Sequence, residues 1–307
     1  MTDLNIKDLF KNTSDYANKE VTLEGWVKTV RDSKTFGFIE LNDGSFFKNV
    51  QIVFNDTLQN FAEISKLTIS STIKVTGTLI ITENAKQPFE IQATEIIIED
   101  LCAIDYPLQK KRHTFEYLRT IAHLRPRTNT FNAVFRIRSI AAFAIHEYFQ
   151  NHGYVYVHTP IITCADCEGS AEMFKLTTLN LDKELPQKDG KTDFSQDLFG
   201  RKAFITGSGQ LHGETFASAF GKIYTFGPTL RSENSNTKTH ANEFWMIEPE
   251  ISFCDLEELM NIEEECLKYI VKNVIEKCPE EIEFCDRFIE KGLKEKLLNI
   301  LNSQFVR

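Results

Sequence analysis

The chain has 307 residues, of which 42% are hydrophobic and 26% charged, and its formal net charge is −9. This composition is typical of a globular protein of about two domains at ~150 residues each, and it excludes collagen-like, disulfide-dense and largely disordered classes. Residues 1–14 lack the apolar core of a secretory signal, and no stretch reaches the ~20 apolar residues of a membrane helix. The odd number of cysteines, seven, favours reduced thiols in a cytoplasmic protein, and the acidic balance argues against sequence-blind coating of nucleic acid.

The first third of the chain predicts β-structure. Segments rich in β-formers, two of them alternating apolar and polar residues, occur at 21–27, 36–41, 50–54, 71–79 and 89–98. The turn residues Asn42-Asp43-Gly44-Ser45 separate the second segment from the third, and a short helix is predicted over 58–66. Five strands with a helix between the third and fourth is the order of an OB-fold barrel, with a generic small β-domain as the alternative.

A basic linker follows. Residues 102–129 contain Pro107 and two runs of cations, 110–113 and 124–127, in an otherwise acidic protein. Such a charge run most often forms a solvated surface, and contact with nucleic acid is the alternative.

The remainder of the chain predicts a mixture of helices and strands. From Phe131 apolar residues recur every three or four positions until Gly153, which predicts an amphipathic helix, and a short strand then leads to Pro160. A polar insert covers 183–201. Further strands are predicted at 203–206, 222–226 and 243–247. Helical spacing resumes from Asp255, and Pro279 interrupts it.

The most informative local pattern is a predicted hairpin over 226–250. Arg231 stands at the end of one strand, and a polar loop leads to the returning strand. Arginine offers a fork of donors suited to phosphate oxygens. Phe244 is placed to stack on a base, and flanking carboxylates are suited to orienting the arginine, receiving an ammonium or holding Mg²⁺: Glu233, Glu248 and Glu250. The alternative is a surface hairpin with paired charges.

These segments resemble the class II aminoacyl-tRNA synthetases of subclass IIb, and among them the asparagine-specific enzymes. The helix-to-Pro160 unit is similar to the family's motif 1, which builds a dimer interface, and 230–250 resembles motif 2 almost residue for residue. The β-region resembles the OB-fold anticodon-binding domain. The resemblance implies an α+β fold: a five-stranded OB-fold barrel plus an incomplete class II antiparallel sheet with flanking helices. We expect an anticodon-binding domain over 1–103, a linker over 104–130 and the first part of a catalytic domain over 131–307.

The resemblance also implies roles for individual residues in binding ATP. By position, Arg231 would bind the ATP α-phosphate and the amino-acid carboxylate, and it would stabilise charge during attack. Glu233 would meet the adenine edge, Phe244 would stack on adenine, and His240 would approach the outer phosphates.

Six further residues take implied roles in substrate recognition. Glu168, in a loop that resembles the family's mobile flap, would receive the α-ammonium of the amino acid. Outside that loop, Gln210 would help to hold the same end, and Glu214 would accept a hydrogen bond from the asparagine side-chain amide. Three barrel residues would recognise the anticodon by stacking and edge hydrogen bonds: Phe38, Gln51 and Glu90. The implied substrates and partners are asparagine, ATP with its Mg²⁺, and tRNA(Asn), and the implied assembly is a cytoplasmic homodimer through motif 1.

Three alternatives accompany this interpretation. An aspartate-specific enzyme of the subclass would carry Ser-Pro-Gln with a lysine close behind, whereas this chain has Ser208-Gly209-Gln210 and no lysine until Lys222. The pair Cys164 and Cys167 has zinc spacing but lacks a suitable second pair. The third family motif, which carries an arginine for the γ-phosphate, has no counterpart after Phe253. We therefore also consider a truncated fragment that binds tRNA through its barrel but makes no adenylate, and we expect little pyrophosphate exchange from the chain alone.

Overall fold

The structure, a computed structural model, describes residues 4–83, 85, 87–167, 169, 172–235, 237 and 239–306. The chain divides into two compact units. The first contains Met1–Ser139 and Ile275–Leu297, and the second contains Ile140–Val274 and Leu298–Arg307. Within the described residues, every helix is too short or too polar to cross a lipid bilayer.

A closed five-stranded barrel dominates the first unit. Its strands are β1 (Glu20–Asp32), β2 (Phe36–Asn42), β3 (Val50–Asn55), β4 (Thr72–Ile81) and β5 (Phe89–Asp100). They close in the order β1-β2-β3-β5-β4, and all neighbours are antiparallel except β3 and β5. The predicted OB-fold is confirmed, and the predicted helix between the third and fourth strands is α3 (Phe61–Ile64).

The alternation of apolar and polar residues explains why these strands form a barrel. In β4 every second residue is buried, so one face of the strand lines the core and the other faces outward. Ile6 and Leu9, on the short helix α1 (Ile6–Lys11), are fully buried in the same core. Gly37 allows β2 to pass over the ring of Phe54, because a Cβ at this position would lie 2.3 Å from Phe54 Cζ.

Helices make up much of the rest of the chain. Beyond α1 and α3, they are α2 (Thr13–Tyr16), α4 (Phe115–Thr120), α5 (Asn129–Asn151), α6 (Gln210–Phe220), α7 (Leu256–Lys277), α8 (Pro279–Phe288) and α9 (Leu293–Asn302). The helix predicted from Phe131 begins two residues earlier, and Gly153 follows it with φ +80°, a conformation that favours glycine. Pro279 separates α7 from α8 as predicted, because proline fits the first turn of a helix but not its interior.

Among its described residues, the second unit contains two small sheets and a hairpin. One sheet has the order β13-β12-β6, with β12 antiparallel to β13 and parallel to β6. The other has the order β7-β11-β8, and β9 pairs with β10. The strands are β6 (Val155–Tyr156), β7 (Ile162–Thr163), β8 (Lys175–Leu176), β9 (Gln187–Lys188), β10 (Lys191–Thr192), β11 (Ala203–Ile205), β12 (Lys222–Leu230) and β13 (Glu243–Ile251).

Aromatic side chains from α5 and the first sheet form the core of the second unit. Phe149 stacks on Tyr224 with ring centroids 4.9 Å apart, and Tyr148 and Tyr154 complete the buried cluster. The Tyr224 hydroxyl lies 2.9 Å from His146 Nδ1, so its polar end is satisfied. This packing holds β12, which carries the candidate site, against α5.

Candidate functional site

The predicted hairpin is formed by β12 and β13. Its last register pairs are Thr229 with Phe244 and Leu230 with Glu243. Arg231 therefore follows directly on the last paired residue, and its guanidinium carbon lies 5.8 Å from the centre of the Phe244 ring. The structure thus brings together a cation and an aromatic face at the mouth of the hairpin, as the sequence predicts.

Local hydrogen bonds hold Arg231 in place. Its Nε donates to the carbonyl oxygen of Gly207 at 3.1 Å, and its backbone N–H donates to the carbonyl oxygen of Asn242 at 3.0 Å. The Asn242 side-chain amide returns a bond to the Arg231 carbonyl oxygen at 2.9 Å. These bonds hold Arg231 next to the start of β13 and next to the segment before α6. Together they orient its guanidinium.

The two other predicted ATP-binding residues lie on the hairpin loop. The Glu233 side chain is half-buried, and its carbonyl oxygen accepts a hydrogen bond from Asn242 Nδ2 at 3.4 Å. His240 is exposed, and its Nδ1 forms a short hydrogen bond with Thr237 Oγ1. Both lie within the same loop as Arg231.

The segment before α6 is anchored by one carboxylate. Glu248, on β13, accepts from the backbone N–H of Gly209 at 3.0 and 3.2 Å, from the Ser208 hydroxyl, and from the Thr225 hydroxyl at 2.9 Å. Gly209 is also closely packed, since a Cβ there would lie 2.9 Å from Thr159 Oγ1 and 3.0 Å from Glu248 Oε2. A carboxylate at the start of α6 interacts favourably with the N-terminal end of the helix.

The sequence did not predict this anchoring role of Glu248. It predicted instead that the Glu248 carboxylate orients Arg231, receives an ammonium or holds Mg²⁺. The available signal was the period of two along β13, which places Glu248 on the same face as Phe244. The pairing with Ser208 and Gly209 joins residues 39 or 40 positions apart and could not be inferred from that period.

Two predicted amino-acid-binding residues meet on α6. Gln210 Nε2 donates to Glu214 Oε1 at 3.0 Å, as their spacing of four along a helix allows. Glu250 adds a third polar group. Burial raises the pKa of Glu250, and the neighbouring carboxylates of Glu214 and Glu248 raise it further. The carboxylates of Glu214, Glu248 and Glu250 therefore give this part of the second unit a negative potential, which favours ammonium and amide donors over another carboxylate.

The flap residue Glu168 lies outside the described residues. The residue before it, Cys167, accepts a hydrogen bond at Sγ from the Leu211 backbone N–H at 2.9 Å. On the far side, the carbonyl oxygen of Glu172 accepts from the backbone N–H and hydroxyl of Ser232 at 2.7 and 2.8 Å. The segment that contains Glu168 is thus bounded by one attachment to α6 and another next to Arg231.

The described residues hold no group of three or more His, Cys, Asp or Glu side chains arranged to bind a metal. Among them, Cys164 is exposed and Cys167 is engaged by Leu211. The carboxylate of Glu248, one candidate for Mg²⁺, is already engaged by several donors.

In the first unit, the predicted anticodon-binding residues share one face of the barrel. Gln51 on β3 donates from Nε2 to Glu90 Oε2 on the neighbouring β5 at 3.1 Å. Phe38 on β2 lies in an edge-to-face contact with Phe36, with ring centroids 5.6 Å apart, and Phe36 is 42% exposed. Adjacent polar and aromatic side chains on an open sheet surface can stack bases and bond their edges.

Comparisons with known proteins follow this geometry. Residues 114–303 match the family described as tRNA synthetases class II (D, K and N), and residues 21–99 match the OB-fold nucleic acid binding domain. The chain is 60% identical over 302 residues to the asparagine–tRNA ligase of Clostridium beijerinckii, covering 98% of this chain and 65% of that protein. The Clostridium perfringens (strain SM101) asparagine–tRNA ligase is 59% identical over 301 residues, with the same coverage.

Solved structures of tRNA synthetases also resemble this chain. Asparaginyl-tRNA synthetase from Pyrococcus horikoshii, complexed with asparaginyl-adenylate, superposes with a TM-score of 0.76 at 26% identity, covering 92% of this chain and 60% of that chain. Aspartyl-tRNA synthetase from Entamoeba histolytica gives a TM-score of 0.67 at 20% identity, covering 90% of this chain and 56% of that chain, and shows the fold alone.

The chain spans about 65% of the length of the curated relatives it matches. The family match nevertheless covers more than half of the chain and includes both α6 and the hairpin of Arg231. Its OB-fold and its sheet with flanking helices are those that the resemblance implied. The chain therefore belongs to the class II tRNA synthetases of the D, K and N group.

Proposed function

We propose that this chain carries the anticodon-binding domain and the first part of the catalytic domain of an asparagine–tRNA ligase, with boundaries at 1–103, 104–130 and 131–307. The observation that carries the proposal is the turn before α6: Glu248 anchors it at Gly209, Gly207 orients Arg231, and the helix that follows carries the paired Gln210 and Glu214. Relatives about 60% identical are asparagine–tRNA ligases, which supports the choice of amino acid.

In the first step, the asparagine carboxylate attacks the α-phosphorus of ATP, which gives asparaginyl-adenylate and pyrophosphate. Arg231 contacts the α-phosphate and the attacking carboxylate, so its fixed positive charge stabilises the transition state. Phe244 stacks on adenine, Glu233 bonds the adenine edge, and His240 lies toward the outer phosphates. The reaction needs no protein nucleophile, because positioning and fixed charge lower the barrier.

In the second step, a hydroxyl of the terminal adenosine of tRNA(Asn) attacks the acyl carbon, and AMP leaves. Flap residue Glu168 and Gln210 hold the α-ammonium through both steps. Glu214 accepts a hydrogen bond from the asparagine amide and repels the carboxylate of aspartate. The nearby Glu250 supports this selectivity, because its carboxyl group adds to the negative potential around Glu214.

The barrel reads the anticodon in this proposal. Phe38 stacks on one base, Gln51 hydrogen-bonds the central uridine, and Glu90 reads a further base edge. The contact between Gln51 and Glu90 supports it, because each side chain orients the other on the open face of adjacent strands.

Three further features belong to the same proposal. Mg²⁺ enters with the phosphates of ATP, as part of that substrate. A homodimer forms through the α5-to-Pro160 unit. The protein works in the cytoplasm, where its seven free cysteines would stay reduced.

Thermal denaturation of the 307-residue chain tests which amino acid it binds. The ligands are two stable sulfamoyl analogues of the aminoacyl-adenylate, one asparaginyl and one aspartyl. The asparaginyl analogue should raise Tm, and at 100 times its Kd it should stabilise the fold by about 2.7 kcal/mol. The aspartyl analogue should stabilise it less. Arg231→Ala should abolish both shifts, whereas Arg201→Ala, an exposed arginine of the same unit, should change neither.

Two results would overturn the proposal. A larger shift with the aspartyl analogue would indicate an aspartate-specific enzyme. No shift with either analogue, in a chain that still binds tRNA, would favour the non-catalytic RNA-binding alternative. Glu214→Gln separates these cases further, because it should narrow the preference between the two analogues without removing binding.

A further inference from the structure

A cavity of about 730 Å³ lies within the first unit, and its lining contains none of the residues of the proposed catalytic site. Strands β1 and β2 supply one wall, the linker around 106–116 supplies another, and α8 and the start of α5 complete it. The volume falls within the range of about 300–1,000 Å³ that is usual for small-molecule sites. The cavity contains the basic run at 110–113, for which the proposed function has no role.

Positive side chains outnumber carboxylates in the lining of this cavity. Its cations are Lys28, Lys110, Lys111, Arg112 and Arg127. Its two carboxylates, Glu40 and Glu116, interact with other groups: Asn49 Nδ2 donates to Glu40 at 3.3 Å, and Arg119 lies 3.8 Å from Glu116. None of the five cations forms an ion pair with a carboxylate in the described part of the chain. A protein of net charge −9 thus concentrates unneutralised positive charge at one concave site.

This arrangement disfavours the charged form of Lys28. Lys28 lies half-buried on β1, and burial lowers the pKa of its ammonium, with a further lowering from the nearby Arg127 guanidinium. An anion in the cavity would relieve both effects, because it would interact with the two cations at once.

Aromatic rings stand beside these cations. Arg127 Nη1 donates to the Tyr106 hydroxyl at 3.0 Å, which fixes the ring at the cavity wall. Phe115 and Phe288 also line the cavity and remain 47% and 58% exposed. Cations suited to phosphate, next to exposed aromatic faces suited to a base, are the two components of nucleotide recognition.

We propose that this cavity binds a free nucleotide. Its phosphate contacts Lys28 and the basic run at 110–112, and its base packs against Phe115 or Phe288. The proposal does not depend on the proposed function, because all of these residues belong to the first unit and the proposed adenylate site belongs to the second.

Photo-crosslinking with mass-spectrometric mapping tests the site on the 307-residue chain. One arm uses 8-azido-AMP as the free nucleotide, and the other uses a tRNA transcript containing 4-thiouridine. We expect cross-links within 106–118 or 284–289. Cross-links within 226–250 would instead report on the proposed adenylate site, so failure of one proposal is distinguishable from failure of the other.

Two charge variants decide the role of the cations. The triple variant should weaken labelling of the cavity at least tenfold; it combines Lys110→Ala, Lys111→Ala and Arg112→Ala. The matched control should leave labelling unchanged. It replaces with alanine three exposed lysines around the β9–β10 hairpin: Lys183, Lys188 and Lys191. Equal Tm values for the two variants would show that both are folded.

The two arms identify the source of the nucleotide. Labelling by 8-azido-AMP supports a free nucleotide. Labelling by the transcript alone would overturn the proposal, because the cations would then belong to the tRNA-binding surface of the proposed function. Labelling that is equal in the triple variant and the control, or absent from the cavity in both arms, would overturn the proposal.

Discussion

Glu248→Gln is the sharpest test of how the candidate site is built. The Glu248 carboxylate accepts hydrogen bonds from three donors: the Gly209 backbone N–H and the hydroxyls of Ser208 and Thr225. Glutamine has nearly the same shape but is neutral, and one of its terminal atoms donates instead of accepting. The Gly209 N–H cannot turn away, whereas the hydroxyls can rotate to accommodate the change. The substitution therefore removes charge from the anchor while it leaves the packing intact.

The expected loss follows from these bonds. A hydrogen bond to a charged acceptor contributes about 1.5–3 kcal/mol, and one between neutral groups contributes about 0.5–1.5 kcal/mol. With three donors, and with rotation of the two hydroxyls compensating in part, we expect the anchor to weaken by about 2 kcal/mol. This corresponds to about a 30-fold change in an equilibrium constant.

Hydrogen exchange measured by mass spectrometry reads this change directly. Peptides that contain Gly209 should exchange about 30-fold faster in Glu248→Gln, because opening of the turn becomes easier. Glu243→Gln is the matched control, since it makes the same charge change at an exposed position of the same strand. Exchange in Glu248→Gln within threefold of that control would refute the idea that Glu248 anchors the turn.

Three further predictions concern the two units. Gly37→Ala should lower the free energy of unfolding in urea by about 1–3 kcal/mol, because the new methyl group would overlap the Phe54 ring. Phe38→Ala should weaken binding of an anticodon stem-loop by about 1–3 kcal/mol in fluorescence anisotropy, and a loss no larger than that of Lys19→Ala, an exposed residue outside the predicted face, would contradict base stacking. Burial raises the pKa of Tyr154 to about 12, against about 10 in an unfolded chain. Unfolding releases a proton over this interval, so stability should fall as pH rises from about 10 to 12. Tyr154→Phe should reduce that fall in alkaline urea titrations and keep neutral-pH stability within about 1 kcal/mol, since the Tyr154 hydroxyl has no hydrogen-bond partner among the described residues. A fall of the same size in the variant would assign it to other groups.

A local pattern predicted the hairpin of Arg231 and Phe244, and the family resemblance indicated Gln210 and Glu214, because each pair is close together in sequence. Arg231 and Phe244 are joined by one hairpin, so strand pairing alone brings them together. Gln210 and Glu214 lie four apart on one helix, which explains their contact. The face predicted to bind the anticodon required one more step, since Gln51 and Glu90 meet only after β3 and β5 pair within the barrel.

The sequence by itself determined the barrel, the helix boundaries at Gly153 and Pro279, and the family to which the chain belongs. Each of these follows from alternation, helical spacing or a contiguous motif, which are properties of neighbouring residues. Only the tertiary structure decided the role of Glu248 and the gathering of Lys28 with the linker cations around one cavity. The reason is that the partners of Glu248, and the cations around Lys28, come from segments far apart in the sequence, which only the folded chain brings together.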